Sequence, residues 1–134
     1  MIYLDKPYAL VKWDDALKCV RVDWKGYVDG AEHREVLETI LVALTARKGT
    51  KLLADARGMR AVTPEDQAWL ANEWVPRSNK AGLKHSAVIV PKSMVAKLSL
   101  QRMINRGVPV PGADATSAAY FDNEADAERW MRSR

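Results

Sequence analysis

The sequence predicts an α/β protein: a single mixed β-sheet of about five strands with about four flanking helices. Two observations favour this class. Short apolar segments alternate with amphipathic helical segments after residue 24, a pattern typical of parallel strands joined by right-handed crossover helices. The chain has 134 residues, 48% of them hydrophobic and 28% charged, which suits one hydrophobic core. We therefore expect a single domain over residues 1–134.

The first predicted element is a β-hairpin. Residues 8–13 and 17–24 are rich in Val, Leu, Trp and Tyr, and Asp14-Asp15 lies between them as a turn. In the second strand Arg21 and Asp23 alternate with apolar residues. This alternation predicts one buried face and one face exposed to solvent.

A long helix follows the hairpin. A capping box that begins at Asp29 predicts its start, and we expect it to run to Lys48 with Gly49 as the left-handed residue that ends it. His33 falls on the same side as the apolar residues of the helix, which favours a core histidine over a ligand. The apolar stripe consists of Val36, Leu37, Ile40, Leu41 and Leu44.

Two buried strands and a second helix come next. Residues 51–55 and 85–90 are short apolar runs that predict parallel strands. Between them, Thr63 begins a helix as its N-cap, and Pro64 and two acids occupy the first turn. Pro76 predicts a kink or an end, because proline removes a backbone donor. If the helix continues, Gly82 closes it.

The last third of the chain predicts a helix over residues 93–105, a loop, a strand over residues 117–121 and a terminal helix to Arg132. Asp122 or Asn123 caps the terminal helix. The helix over residues 93–105 carries two apolar patches, so it is either broken near Ser99 or offers one patch to a partner.

Several classes of function are excluded. The sequence lacks GxGxxG, Walker A, CxxC, HExxH and GxSxG motifs, and two histidines and one cysteine predict no metal site. We therefore expect no cofactor and no enzymatic activity. Net charge is only +4 and aromatic residues make up 7%, which does not favour nucleic-acid binding through stacking. No apolar run approaches the ~20 residues of a membrane helix, and a single cysteine, Cys19, favours the cytoplasm.

One group of residues could bind an anion. Arg57 and Arg60 follow the first buried strand, Thr63 begins the next helix, and Lys92 follows the second buried strand. If the two strands are neighbours, these groups meet at one edge of the sheet and could hold a carboxylate or phosphate. The alternative, which we favour, is that Arg57 forms a salt bridge with Glu65 or Asp66.

Four segments carry a resemblance to a known family: KLLADARGM, TPEDQAWLANEWVPRSNKAGL, AVIVPKSMVAKLS and YFDNEADAERWM. They resemble the small bacterial proteins of the SpoIIAA-like group, over about Tyr8 to Trp130. That group is related to the STAS domain, which anti-sigma-factor antagonists and sulfate transporters share. The resemblance implies a sheet of four to five strands flanked by helices.

STAS antagonists carry a phosphorylatable serine at the start of the helix that follows the strand corresponding to residues 52–55. In this sequence that position falls at residues 62–65, where Thr63 is the only hydroxyl, and its best use is as N-cap. The departure argues against a phosphorylation switch. The wider superfamily also includes lipid-binding relatives, so a hydrophobic ligand is possible by analogy.

The leading hypothesis is a non-enzymatic protein-interaction or regulatory module that forms a homodimer. The first alternative is a carrier of an apolar or anionic small molecule near the predicted anion site. The remote alternative is a switch phosphorylated like an anti-sigma-factor antagonist. The residues expected at the interface are Trp69, Leu100, Met103 and Ile104.

Overall fold

A computed structural model describes residues 1–28, 30–59, 62–91 and 118–134. These ranges contain six strands and four α-helical segments, with one π-helical turn at Leu70–Trp74. The strands are β1 Ile2–Lys6, β2 Ala9–Asp14, β3 Cys19–Trp24, β4 Lys51–Asp55, β5 His85–Ile89 and β6 Ala118–Phe121; the helices are α1 Gly30–Arg47, α2 Pro64–Trp69, α3 Val75–Lys80 and α4 Glu124–Arg132.

The six strands form one mixed sheet in the order β1-β2-β3-β4-β5-β6. The pairs β1–β2 and β2–β3 are antiparallel, and the pairs from β3 to β6 are parallel. The predicted α/β class and mixed sheet are confirmed. The strand that the sequence did not predict is β1, an edge strand without a buried residue, so it lacks the hydrophobic alternation that marks a half-buried strand.

Helices cover both faces of the sheet. One core cluster joins Val22, Ala54 and Val88 of the sheet to the buried side of α1 and to Leu70 and Trp74. A second cluster packs α4 against the other face, which carries Leu17, Cys19, Leu53, Ala87 and Ile89. The prediction that Arg21 and Asp23 face solvent is therefore wrong, because α4 lies on their side of β3.

The end of α1 differs by one residue from the prediction. Lys48, not Gly49, is the left-handed residue, with φ of 51°. The N–H of Lys48 donates to Thr45 O at 3.3 Å and the N–H of Gly49 to Leu44 O at 2.9 Å, the two bonds of a Schellman motif. Gly49 avoids a close contact, since a Cβ there would lie 3.1 Å from Trp13 Cζ3.

Pro76 does not end the second helix. The chain passes from α2 through the π-helical turn Leu70–Trp74 into α3, and the N–H of Val75 donates to the carbonyl of Leu70 five residues earlier. The wider turn just before Pro76 accommodates a residue without an N–H. Gly82, with φ of 103°, closes the helix as expected.

The terminal helix also follows the prediction. Asn123 is its N-cap, and its Oδ1 accepts a hydrogen bond of 2.8 Å from the N–H of Asp126. The predicted helix over residues 93–105 lies outside the described residues. Among the residues described, no helix is long and apolar enough to cross a membrane.

Candidate functional site at the carboxyl edge of the sheet

The segment of residues 56–59 follows β4 and lies at the carboxyl edge of the parallel strands, where ligands of α/β proteins usually bind. Its first residue is tied to the next strand, since the N–H of Ala56 donates to Ile89 O at 2.9 Å. Gly58 lies against the end of β3, and a Cβ at this position would be 2.8 Å from the carbonyl oxygen of Trp24. A side chain at residue 58 would therefore force the loop away from β3.

Asp55 and Arg57 form a closely bonded pair at the start of this loop. One carboxylate oxygen of Asp55 accepts from the backbone N–H and the Nε of Arg57, at 3.1 and 3.0 Å. The other oxygen accepts from Arg57 Nη2 at 2.6 Å. This two-pronged geometry is the strong form of a carboxylate–guanidinium contact.

Arg21 and Glu124 extend the pair into a cluster. Nη2 of Arg21 lies 2.9 Å from Oε2 of Glu124 and 3.4 Å from Oδ2 of Asp55, and its Nε donates to Asp23 at 3.0 Å. Arg57 Nη2 also contacts Glu124 Oε2, at 3.0 Å. The side chains of Arg21 and Asp55 are only 12% and 11% exposed, so water screens their contact weakly. We call these five residues the ion-pair cluster.

The charges of the cluster stabilise one another. Burial alone would raise the pKa of Asp55, but the hydrogen bonds and charge of Arg57, together with Arg21, hold that pKa below its ordinary value of 3.8. The hydrogen bond from Arg21 and its charge lower the pKa of Glu124. Two guanidinium groups face three carboxylates, so the cluster has no spare positive charge for an anion.

The opposite face of the sheet carries a groove at the same edge. Thr63 caps α2, and its Oγ accepts from the N–H of Asp66 at 3.2 Å. The carboxylate of Asp66, a residue only 2% exposed, turns to the start of α1 and accepts from the N–H of Gly30 at 3.0 and 3.2 Å. These bonds fix the start of α1 against the start of α2.

The groove between the two helix starts has a volume of about 440 Å³ and is lined by Gly30, Arg34 and residues 63–66. Arg34 and Glu65 are exposed on its rim. The guanidinium of Arg34 lies 5.2 Å above the ring of Trp69, which is partly buried against the core. A cation over an aromatic face is an attractive contact, so one edge of the groove is a stacked Arg–Trp pair.

A family model described as SpoIIAA-like matches residues 19–132. This chain belongs to the SpoIIAA-like family. No curated protein and no solved structure matched the sequence. The match confirms the resemblance and includes both the ion-pair cluster and the groove.

The structure accounts for Arg57 and Thr63 of this SpoIIAA-like protein by internal contacts. Arg57 forms a salt bridge, as the alternative interpretation had it, but with Asp55 and Glu124 and not with the expected Glu65 or Asp66. An anion site at these residues stays a prediction. Trp69 is partly buried beside α1 and lies under the guanidinium of Arg34, and its role in an interface stays a prediction. The remaining predicted residues lie outside the described residues: Arg60, Lys92, Leu100, Met103 and Ile104.

Sequence reasoning missed Arg21 and Glu124. Leu17 and Cys19 are apolar and lie on the same face of the sheet as Arg21. Their burial there indicates that a helix covers this face. Sequence reasoning did not single out Glu124, because an acidic residue in the first turn of a helix is already explained by its favourable interaction with the helix dipole.

His33 is a core residue, as expected, and Cys19 is buried as well. Burial, with a smaller effect of the Asp14 carboxylate, raises the pKa of the Cys19 thiol to about 12, so the thiolate that a nucleophile requires is scarce. His33 is fully buried and stacks on Trp24, with ring centroids 5.5 Å apart. Neither side chain lines the groove, so neither contributes a reactive group there.

Proposed function

We propose that this protein is a non-enzymatic regulatory module that works by binding a partner protein in the groove between the starts of α1 and α2. Membership of the SpoIIAA-like family supports a regulatory role. The observation that carries the proposal is the groove itself: an open surface at the carboxyl edge of the sheet, with one exposed cation and one exposed carboxylate on its rim.

The chemistry of the groove supports binding over catalysis. Its buried carboxylate, Asp66, is occupied by the backbone of Gly30, and the Thr63 hydroxyl accepts from the helix backbone. A general base or nucleophile must reach the reacting atom of a substrate. These two groups instead bond the backbone that forms the groove. A surface preorganised in this way suits a docking site.

The same contacts do not favour a phosphorylation switch at Thr63. A phosphate there would lie beside Glu65 and Asp66, and repulsion between like charges would oppose it. The small-molecule carrier gains no separate support, because Arg57 and Thr63, two of its four proposed ligands, are held by internal contacts.

Site-specific photo-cross-linking tests the proposal. A photoreactive phenylalanine analogue replaces Arg34 or Glu65 on the rim in cells that make the protein naturally. Arg132, near the amino end of β4 where Lys51 Nζ contacts Met131 O at 3.2 Å, is the control position. We expect covalent adducts with one other protein from the rim positions and none from residue 132.

Charge reversal gives a second measurement on the identified partner. Arg34→Glu should weaken its binding by at least about tenfold, which corresponds to ~1.4 kcal/mol, while Lys18→Glu, on the opposite edge, should leave it unchanged. Rim positions that label no other protein, or label it no better than residue 132, would refute the proposal. Adducts with the mass of two copies of this chain concern self-association and do not count for it.

A further inference from the structure

The guanidinium of Arg34 is held by an aromatic ring and not by a carboxylate. Its Cζ lies 5.2 Å above the ring of Trp69, and the side chain is exposed on the rim of the groove. In the part of the chain that the structure describes, no oxygen accepts a hydrogen bond from this guanidinium and no carboxylate forms an ion pair with it. By contrast, carboxylates bind the guanidinium groups of Arg21, Arg57 and Arg77. The charge of Arg34 is therefore available to a molecule that enters the groove.

The two carboxylates nearest to Arg34 along α1 are directed to other elements. Glu38 lies four residues further on, at the spacing of a helical ion pair, but it accepts two hydrogen bonds from Arg77 of α3. Glu35 accepts from the phenol of Tyr8 at 2.6 Å. Packing between elements thus uses the acids that would otherwise neutralise Arg34 within its own helix.

A guanidinium above an aromatic ring is well prepared to bind a carboxylate. The contact with Trp69 uses the positive charge of Arg34 but does not occupy its five N–H donors as a carboxylate would. Two parallel N–H donors of a guanidinium match the two oxygens of a carboxylate. Because the ring already restricts the long side chain, binding has less side-chain entropy to remove.

The acids beside the groove favour a singly charged anion. Glu65 is exposed on the rim, and Asp66 lies in the wall. A phosphate monoester carries a charge of about −1.5 to −2 at pH 7, so the two acids repel it about twice as strongly as they repel a carboxylate. Arg34 supplies only one positive charge against this repulsion. The charge balance of the groove therefore fits a carboxylate better than a phosphate.

We propose that Arg34 determines the specificity of the groove by recognising an aspartate or glutamate side chain in the docking segment of the partner protein. This inference rests on the proposed function, because it names the chemistry of the partner that the groove binds. The rim is only partly covered when a segment docks there. Loss of the contact should thus raise the Kd by about tenfold, between the effects of an exposed and a buried ion pair.

A phage-displayed library of random peptides tests the proposal without knowledge of the partner. Peptides of about 12 residues span up to ~40 Å when extended, which is enough to cross the groove. Selection on the full-length wild-type protein should enrich peptides that share an acidic residue at one position. In synthetic copies, replacement of that acid by its amide should raise the Kd by about tenfold. The same replacement should have no effect on binding to Arg34→Gln, which lacks the charge that the acid contacts.

Arg129→Gln is the matched control for this pair of substitutions. Arg129 lies on α4, and its side chain is 78% exposed. Glutamine is a good helix former, so both variants should remain folded. Arg129→Gln should distinguish the acidic peptide from its amide as the wild-type protein does.

Several results would overturn the inference. They are a library that yields no binder, enriched peptides without a shared acid, and an acid-to-amide change that weakens binding to Arg34→Gln as much as to wild type. Phosphoserine at the acidic position should bind no better than the acid, and binding tighter by about tenfold or more would also overturn it. Cross-linking from residue 65 leaves Arg34 in place and is independent of these results. Adducts there with no need for an acid in the partner would remove this inference alone, whereas the absence of adducts would refute the proposed function.

Discussion

Asp55 is the residue on which the ion-pair cluster depends most, and Asp55→Asn tests its contribution. The substitution keeps the shape of the side chain but removes the charge that faces Arg57 and Arg21. In the wild-type protein the carboxylate oxygens of Asp55 accept four hydrogen bonds from Arg57 and Arg21, at 2.6 to 3.4 Å. The loss removes one of the three carboxylates around the guanidinium of Arg21, a side chain 12% exposed, and the one that Arg57 binds most closely.

The burial of the ion-pair cluster sets the expected loss in the free energy of unfolding. Removing one partner of a fully buried ion pair costs about 3–5 kcal/mol, and exposed pairs are worth about 0–1 kcal/mol. Arg21 and Asp55 lie near the buried limit, but Arg57 is 34% exposed and Glu124 41% exposed. We therefore expect Asp55→Asn to lower the free energy of unfolding by about 2–3 kcal/mol.

Urea titration at neutral pH measures this difference, with Asp15→Asn as the matched control. Asp15 forms an ion pair with Lys18 at 3.8 Å, and both side chains are at least 70% exposed. The asparagine can still accept from the indole of Trp13. The control should change the free energy of unfolding by no more than about 0.5 kcal/mol.

The pH dependence gives a sharper test, because the pKa of Asp55 is lowered in the folded protein. A lowered pKa stabilises the fold above the ordinary value of 3.8, and this stabilisation is lost as pH falls through the folded-state pKa. The gap between wild type and Asp55→Asn should thus be constant above about pH 5 and shrink below it. A gap under about 0.5 kcal/mol at neutral pH, or one that does not shrink in acid, would refute the account of the cluster.

Three further substitutions or measurements test neighbouring features. Gly58→Ala should lower the free energy of unfolding by about 1–3 kcal/mol, because the added Cβ would lie 2.8 Å from the Trp24 carbonyl; an unchanged thermal midpoint would contradict the close approach. Thr63→Ala should cost about 1 kcal/mol as a lost N-cap while Thr63→Ser costs little, and equal losses in both would show that the hydroxyl has no capping role. Cys19, with its pKa near 12, should react with a thiol reagent at about pH 8 only after denaturation; rapid reaction of the folded protein would contradict its burial.

The sequence predicted the parallel centre of the sheet because β4 and β5 each contain an apolar run, at residues 52–54 and 87–89, and burial on both faces requires such runs. The same reasoning could not find β1, whose five residues have no buried member. It also placed the end of α1 on Gly49, because glycine is the usual left-handed residue, whereas Lys48 takes that conformation and Gly49 makes room for Trp13. A local sequence pattern thus identifies strands and helices whose own residues are buried. It fails where a contact with a residue distant in sequence determines the local structure.

The ion-pair cluster shows this limit most clearly. Arg21 meets Asp55 across 34 positions and Glu124 across 103 positions of sequence. No local pattern connects residues so far apart. The sequence offered the nearby Glu65 and Asp66 as partners of Arg57, but strand pairing aligns Asp23 with Asp55 and puts the start of α4 beside them. The topology of the sheet thus determines which carboxylates form salt bridges with Arg57.

The loop after β4 is held by a carboxylate at each end. At its start Asp55 binds the backbone and the guanidinium of Arg57, and at its end Asp66 ties the start of α2 to Gly30 of α1. The segment from Asp55 to Asp66 therefore has one end at the ion-pair cluster and the other end at the groove. Because the cluster fixes one end of the loop, loss of Asp55 should loosen the rim at Glu65 as well as lower stability. Partner binding would then weaken in Asp55→Asn even where the protein remains folded, although Asp55 itself does not line the groove.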